Sequence, residues 1–336
     1  MKSKQAVTVF GAGSWGTAIA KVLAENNWKV NLWAREEQVV DSIKNSRENK
    51  LFLPGIKLPG RINPINSLDD HELFNTNCLI FSFPTQHIRS FLETIKTNIG
   101  KDIIIINTSK GIEQNSTKNI YRIFGDVIPY IKNRYVTMSG PSFAKDVANK
   151  LPTAVSMASS NDKVLSKARL MFDNKYFRTY PSKDVIGLEL GGSIKNVIAI
   201  GAGIFDGMGY SESSKAAFIT RGLFEIRVLA ELMGARKTTF LGLAGIGDLV
   251  LTTYGAKSRN RNLGFMLGKG KNLKKIMDST PTIAEGYFTS KAVYKLIKEV
   301  GIRLPILEAI YGVLYKNKSP KSILEILIKK DVFVDI

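Results

Sequence analysis

Four β-prone residues, Val7-Thr8-Val9-Phe10, run straight into Gly11-Ala12-Gly13-Ser14-Trp15-Gly16, and a helical pattern follows at once. Trp15, Ala18, Ile19, Val22 and Leu23 recur at the i, i+3, i+4, i+7, i+8 spacing of one apolar helix face. That pattern fades at Asn26-Asn27, and Trp28-Lys29-Val30-Asn31-Leu32-Trp33 reads as a second strand. A lone Gly-x-Gly-x-x-Gly is a weak signal; set between strand and helix in such a unit, it constrains the fold strongly and points to a dinucleotide. Gly11 permits the tight turn, Gly13 lets backbone approach a pyrophosphate, and Gly16 lets helix and strand pack closely. The helix start adds unpaired N–H groups and the positive end of a dipole. A glycine turn serving packing alone is the competing reading, and the complete unit weighs against it.

The chain then repeats strand and loop. Arg35 ends the second strand, where an acid commonly holds the ribose 2′-OH of NAD; a guanidinium there can accept a 2′-phosphate instead, although Glu36 and Glu37 follow closely. Residues 45–77 read as irregular, punctuated by Pro54-Gly55, Pro59-Gly60, Asn63-Pro64 and Asp69-Asp70. Cys78–Ser82, Ile103–Asn107 and Tyr135–Ser139 are apolar runs of the kind found in a parallel sheet covered on both faces, and a helix is expected from Gln86 to Thr97. Thr153–Ala158 and Tyr176–Tyr180 read as two further short strands. Ligands of such sheets sit beyond the carboxyl ends of the strands, which singles out Lys110 and the Gly140-Pro141-Ser142-Phe143-Ala144 loop.

Past residue 185 the pattern turns helical. The expected organisation is an α/β dinucleotide-binding (Rossmann) domain over 1–185, with a mostly parallel doubly wound sheet, and an all-α domain over 186–336. The segment Ile186–Ile204 is apolar or small on nearly every face, the mark of a central buried helix, and Lys195 and Asn196 interrupt it. Burial would lower the pKa of Lys195 toward the range of a general base, whereas a snorkelling lysine would keep its head in water. A second helix is read from Ala217 to Met233. Asp248, in Gly242–Leu249, could pair with Lys195 or cap a helix. Ser258-Arg259-Asn260 joins a hydroxyl, a guanidinium and an amide at a helix start, a combination that suits a phosphate. The last helices are expected to begin near Ile283–Gly286 and Leu304–Leu307, with an amphipathic close at Ile323–Lys330.

Composition narrows the partners. The chain has 336 residues, 48 Lys+Arg against 29 Asp+Glu, and a net charge of +19. The basic residues are spread along the chain without an arginine-rich block, so nucleic-acid binding is not expected, while phosphate esters would still be attracted. Cys78 is the single cysteine, which excludes an internal disulfide and suits a small buried hydrophobe. No apolar run approaching bilayer-spanning length and no secretory h-region is expected, which favours the cytoplasm. Neither His71 nor His87 has a triad partner, and no metal-ligand cluster is apparent, so no metal is expected.

The chain resembles the bacterial NAD(P)-dependent glycerol-3-phosphate dehydrogenases nearly end to end. The markers are the residues at 11–18, Ser-Lys-Gly-Ile-Glu at 109–113, Gly-Pro-Ser-Phe-Ala at 140–144 and Lys-Asn-Val-Ile-Ala-Ile at 195–200. Ile-Thr-Arg-Gly at 219–222, Gly-Leu-Ala-Gly-Ile-Gly-Asp-Leu at 242–249, Ser-Arg-Asn at 258–260 and Ala-Glu-Gly at 284–286 complete the ordered set. The resemblance implies Lys195 as proton acceptor, with Lys110, Gly140, Ser142, Asp248, Ser258, Arg259 and Asn260 binding a small phosphorylated substrate. Beside Gly11, Gly13 and Gly16, it implies Ser14, Trp15, Arg35, Lys110, Ala144, Arg259, Ile283 and Glu285 at the NAD(P)H cofactor. A 6-phosphogluconate-dehydrogenase-like helical domain, a homodimer and a supply of glycerol 3-phosphate for phospholipids are also implied. Ser213 stands where an asparagine is usual and Thr253 where a cysteine is common. The rival readings are a 2- or 3-hydroxyacid dehydrogenase, with a carboxylate site in place of the phosphate pocket, and a basic nucleic-acid-binding or regulatory protein on the same scaffold.

Overall fold

A computed structural model describes residues 6–279 and 284–328. The expected cofactor residue Ile283 and the end of the expected closing segment lie outside the described residues. The chain divides into two compact units, one formed by residues up to Ser109 together with Ile120–Leu188, the other by Lys110–Asn119 and Glu189 onward.

The first unit is built on β1 (Ala6–Phe10), α1 (Ser14–Glu25), β2 (Lys29–Trp33), α2 (Glu37–Ser46), β3 (Ile62–Ile65), β4 (Cys78–Phe81) and α3 (Ile88–Ile95). It continues with β5 (Ile104–Asn107), α4 (Ile120–Val127), β6 (Tyr135–Ser139), α5 (Ala144–Ala148), β7 (Thr153–Ala158), α6 (Asp162–Phe172) and β8 (Phe177–Ser182). The strands form one sheet in the order β3-β2-β1-β4-β5-β6-β7-β8. All pairings are parallel except β6 with β7, so the sheet is mostly parallel, and its order reverses between β1 and β4, the ligand crevice of such folds. Every residue of β1, β4 and β5 is buried, which is why these strands read as unbroken apolar runs. Burial pushes the Cys78 thiol well above its ordinary pKa, so it is a packing residue.

Two local expectations need correction, and one helix carried no signal in the apolar pattern. The stretch 45–77 holds a strand, β3, that Asn63-Pro64 had concealed; Pro64 is tolerated because β3 pairs only with β2, at the sheet edge. The helix expected over Gln86–Thr97 is regular only over α3, with tighter turns at Thr85–His87 and Lys96–Asn98. Nor did the apolar pattern reveal α6, whose start is fixed by the Asn161 side chain accepting bonds from the N–H groups of Lys163 and Val164.

The second unit is helical: α7 (Val185–Met208), α8 (Glu212–Leu232), α9 (Asp248–Tyr254), α10 (Arg259–Gly268), α11 (Leu273–Asp278), α12 (Glu285–Val300), α13 (Pro305–Tyr315) and α14 (Lys321–Ile328). Helix α7 starts in the first unit and runs longer than its apolar pattern indicated. It also corrects the expectation of no run of spanning length: its length and mean hydropathy of 1.4 are enough to cross a bilayer. It is 94% buried within the protein, as a core helix is. Helix α8 starts five residues before the expected Ala217, because the Ser211 hydroxyl caps it by accepting the Ser214 N–H. Ser213 therefore lies exposed in a helical first turn. Thr253 is buried and returns its hydroxyl to the Leu249 carbonyl within α9.

Helices α7 and α10 cross in backbone contact. A Cβ on Gly264 would lie 1.9 Å from the Ile200 carbonyl oxygen, and one on Gly203 would lie 2.0 Å from that of Arg261. The buried Glu225 carboxylate of α8 accepts the Ile306 and Leu307 N–H groups at 2.8 and 2.9 Å, capping α13 behind Pro305. Desolvation raises its pKa to about 7, against the pull of those two N–H bonds. The segment Lys110–Asn119 belongs with these helices: Asn119 donates to Glu189 at 2.8 Å, Thr117 to Glu299 at 3.0 Å and Gln114 to the Phe288 carbonyl at 3.2 Å.

Gly264→Ala raises intrinsic helix propensity yet forces a methyl into the α7 backbone, so the expected outcome is a destabilisation of roughly 1–3 kcal/mol. Urea unfolding followed by circular dichroism checks it.

Candidate active site

In the first unit the glycine fingerprint forms the turn between β1 and α1. Gly11 has φ +107°, and a Cβ on Gly16 would lie 1.9 Å from the Gly11 carbonyl oxygen, so the turn closes only with glycine at both positions. Gly13 faces open space, with nothing within 4 Å of where its Cβ would be, and α1 starts there without a side-chain cap. Among the described residues no side chain caps the amide groups at that helix start, an arrangement that fits a pyrophosphate. Asn49, which the sequence pattern does not single out, holds this loop from behind. Its amide donates to the Ala12 carbonyl at 2.8 Å and to the Thr17 hydroxyl at 2.9 Å, while its oxygen accepts the Phe52 N–H at 3.0 Å. The Ser14 hydroxyl donates to the Phe52 carbonyl, a second tie to the same turn.

Arg35 stands just past β2, 77% exposed, with its guanidinium 3.0 Å from the Glu36 carboxylate. A 2′-phosphate at this position would compete with Glu36 for Arg35. Gly140 follows β6 directly, the Ser142 hydroxyl donates to the Gly140 carbonyl at 3.1 Å, and Ala144 opens α5.

In the second unit three expected residues meet. Lys195, in the middle of α7, and Asp248, at the first turn of α9, are buried at 6% and 1% exposure, and the Lys195 ammonium donates to Asp248 Oδ1. Lys110 reaches the other carboxylate oxygen, Oδ2, at 2.7 Å. Asp248 is thus a bridge between two ammonium groups and, among the described residues, caps no backbone amide. Thr252, one helical turn after Asp248, accepts a bond from Lys195 at 2.6 Å and donates its hydroxyl hydrogen bond to the Asp248 backbone carbonyl at 2.6 Å. Sequence motifs do not mark Thr252, but its i+4 spacing from Asp248 puts both on one helix face. The residues before Asp248, Leu243–Gly247, form a wide π turn, a distortion common at functional sites. Desolvation takes the Lys195 pKa from 10.5 down to about 7; Asp248 opposes that fall and the charge of Lys110 adds to it.

The Ser258–Asn260 turn opens α10. Ser258 is buried and caps the helix through the Arg261 N–H, and Arg259 is exposed. Asn260 donates to the Asn196 side chain at 2.9 Å and accepts the Gly286 N–H at 2.9 Å, tying α10 to α7 beside Lys195 and to α12, whose first residue is Glu285.

A glycine fingerprint on a doubly wound sheet, joined in one chain to a buried lysine–carboxylate centre in a helical unit, defines a two-domain nicotinamide-dependent dehydrogenase. Comparison with known proteins narrows the class. The family model for the N-terminus of NAD-dependent glycerol-3-phosphate dehydrogenase matches residues 6–165, and that for its C-terminus matches residues 184–325. The chain belongs to this family and is an NAD(P)-dependent oxidoreductase. A relative from Citrifermentans bemidjiense named glycerol-3-phosphate dehydrogenase [NAD(P)+] is 42% identical over 323 residues, 96% of each chain. One of the same name from Syntrophobacter fumaroxidans is 40% identical over 333 residues, 99% of this chain and 98% of that one. The crystal structure of glycerol-3-phosphate dehydrogenase from Coxiella burnetii superposes with a TM-score of 0.91 at 32% identity, covering 97% of this chain and 99% of that one.

Because the folded lysine gives up its proton near pH 7 and the unfolded one near 10.5, the unfolded state binds more protons between those values. This one group should make stability rise with pH across that window, by up to about 1.4 kcal/mol per pH unit. Unfolding free energies of wild type and Lys195→Met, compared from pH 6 to 10, are expected to differ in slope accordingly.

Proposed function

We propose that this chain catalyses reversible hydride transfer between NAD(P)H and dihydroxyacetone phosphate, forming sn-glycerol 3-phosphate, with Lys195 as proton donor and acceptor. The observation that carries the reading is a buried lysine, poised near neutrality and clamped by Asp248 and Thr252. The bound nicotinamide supplies or accepts the hydride. In the reducing direction the Lys195 ammonium protonates the alkoxide formed at C2; in the oxidising direction the neutral amine removes the hydroxyl proton. Asp248 and Thr252 fix the nitrogen through its other bonds. Two ammonium groups around one carboxylate leave a net positive charge, which favours the developing alkoxide, and Lys110, held on Asp248 Oδ2, adds its charge toward that oxygen.

Ser258, Arg259 and Asn260 hold the phosphate, whose binding energy positions the reacting carbon, and Gly140 and Ser142 add substrate contacts. Gly11, Gly13, Ser14, Trp15 and Gly16 carry the pyrophosphate, with Ala144, Glu285, Ile283, Lys110 and Arg259 also at the cofactor. Arg35 accepts a 2′-phosphate in competition with Glu36, so NADPH is used alongside NADH. Family resemblance supports a cytoplasmic homodimer that feeds glycerol 3-phosphate to phospholipid synthesis; sedimentation velocity tests the dimer.

Absorbance at the nicotinamide band, followed with dihydroxyacetone phosphate, tests the activity. Oxidation of NADPH or NADH should require the phosphate ester, and its absence with either cofactor would remove the reading. Lys195→Ala should abolish turnover and leave NADPH fluorescence titrations nearly unchanged. The rate of glycerol 3-phosphate oxidation should rise with pH through an apparent pKa near 7, while carbonyl reduction falls through the same region.

A further inference from the structure

One partly buried ion cluster in the helical unit is not used by this chemistry. Asp206, near the end of α7, faces two cations. Arg261, in the first turn of α10, donates to its Oδ2 from Nε at 2.7 Å and Nη2 at 2.6 Å. Lys215 of α8, only 3% exposed, sits 2.8 Å from Oδ1 and lies over the ring of Tyr254, the last residue of α9, at 4.1 Å. One carboxylate thus ties α7 to α8 and α10, and through Lys215 it reaches the end of the helix that carries Asp248 and Thr252.

The position of Arg261 gives the cluster its meaning. Its backbone N–H is the group capped by Ser258, so the residue gripped by Asp206 also closes the Ser258-Arg259-Asn260 turn. The glycine contacts between α7 and α10 fix how near the helices come, but apolar contact is not directional. Directional bonds hold the turn at two residues: Asn260 to Asn196, and Arg261 to Asp206. Charge-assisted bonds of this kind are the stronger and more geometry-specific sort. We propose that Asp206 is a positioning residue for phosphate recognition, acting through Arg261 to aim the Ser258–Asn260 turn at the phosphate of the substrate. This rests on the reading of that turn as the phosphate site.

A different role would give the opposite sign. Were Asp206 only a neutraliser of two cations, its removal would strengthen the local positive field and tighten the binding of a dianion. Positioning predicts weaker binding. In the purified full-length enzyme, Asp206→Asn is expected to raise KM for dihydroxyacetone phosphate by on the order of tenfold, the scale of a lost bond to a charged group, with kcat unchanged. The kcat/KM for dihydroxyacetone, which has the same carbonyl and no phosphate, should not change. Asp206→Glu, which keeps a carboxylate for Arg261, should recover most of the loss, and Arg261→Gln should reproduce it if the asparagine variant does not fold. A fall in KM, or an equal loss with both substrates, would overturn the proposal. Arg259→Ala separates the two layers. If it abolishes the preference for the phosphate ester while Asp206→Asn and Arg261→Gln do not, the positioning role fails alone; if it leaves that preference intact, the phosphate reading fails and takes the positioning role with it.

Discussion

The helical unit depends on one constraint: an ammonium group placed in the middle of its most apolar helix. Lys195 lies halfway along α7, a helix buried over nearly its whole length, and an isolated buried charge is too costly to persist. The surrounding structure answers with Asp248 and Thr252, and Lys110 shares the same carboxylate. These residues come from two further chain segments, so α9 and the Lys110–Asn119 segment meet α7 at one carboxylate. The same burial lowers the proton affinity of that nitrogen to where a general acid–base must work. Structural cost and chemical use have the same origin.

Lys110 shows how this reaches across the sequence. It follows β5 by three residues, where a doubly wound sheet delivers its functional side chains, yet Lys110–Asn119 packs with the helices. Asn119, Thr117 and Gln114 all bond to residues of that unit, anchoring the excursion along its length. A boundary drawn once along the chain, as at residue 185, cannot express this, because the chain enters the second unit, leaves it and returns.

Much of the fold was legible in the sequence because its signals are local and redundant. The fingerprint carries its own turn, strand and helix, and β4 and β5 declare themselves by apolar runs that only two-sided burial explains. Edge strand β3 was concealed because Pro64 is a strand breaker everywhere except where one side of the ladder is unused. The start of α8 was missed for a related reason: Ser211 and Ser214 are polar, and apolar periodicity does not register a cap. Lys195, Lys110 and Asp248 were identifiable by type and motif. Thr252, Asn49 and Asp206 were not, because each makes a defining bond to a residue distant in sequence, as Asn49 does to Thr17, 32 positions away.

The glycines connect these observations. Where α10 crosses α7, backbone meets backbone, so no side chain between the helices can set their relative orientation. Close approach brings Asn260 and Arg261 within reach of Asn196 and Asp206, two of the few polar residues on a largely apolar helix. Beside Asn196 is Lys195, whose partner Asp248 lies on α9, and α9 ends at Tyr254 over Lys215, which returns to Asp206. The polar groups of α7 therefore form a closed circuit through α9 and α10. In such a circuit the Lys195 nitrogen and the helix start that carries Arg259 share one support, while separate bonds hold each: Asp248 and Thr252 the nitrogen, Asn196 and Asp206 the turn. A helix that looks, by composition, like an apolar span is the common support from which both are aimed.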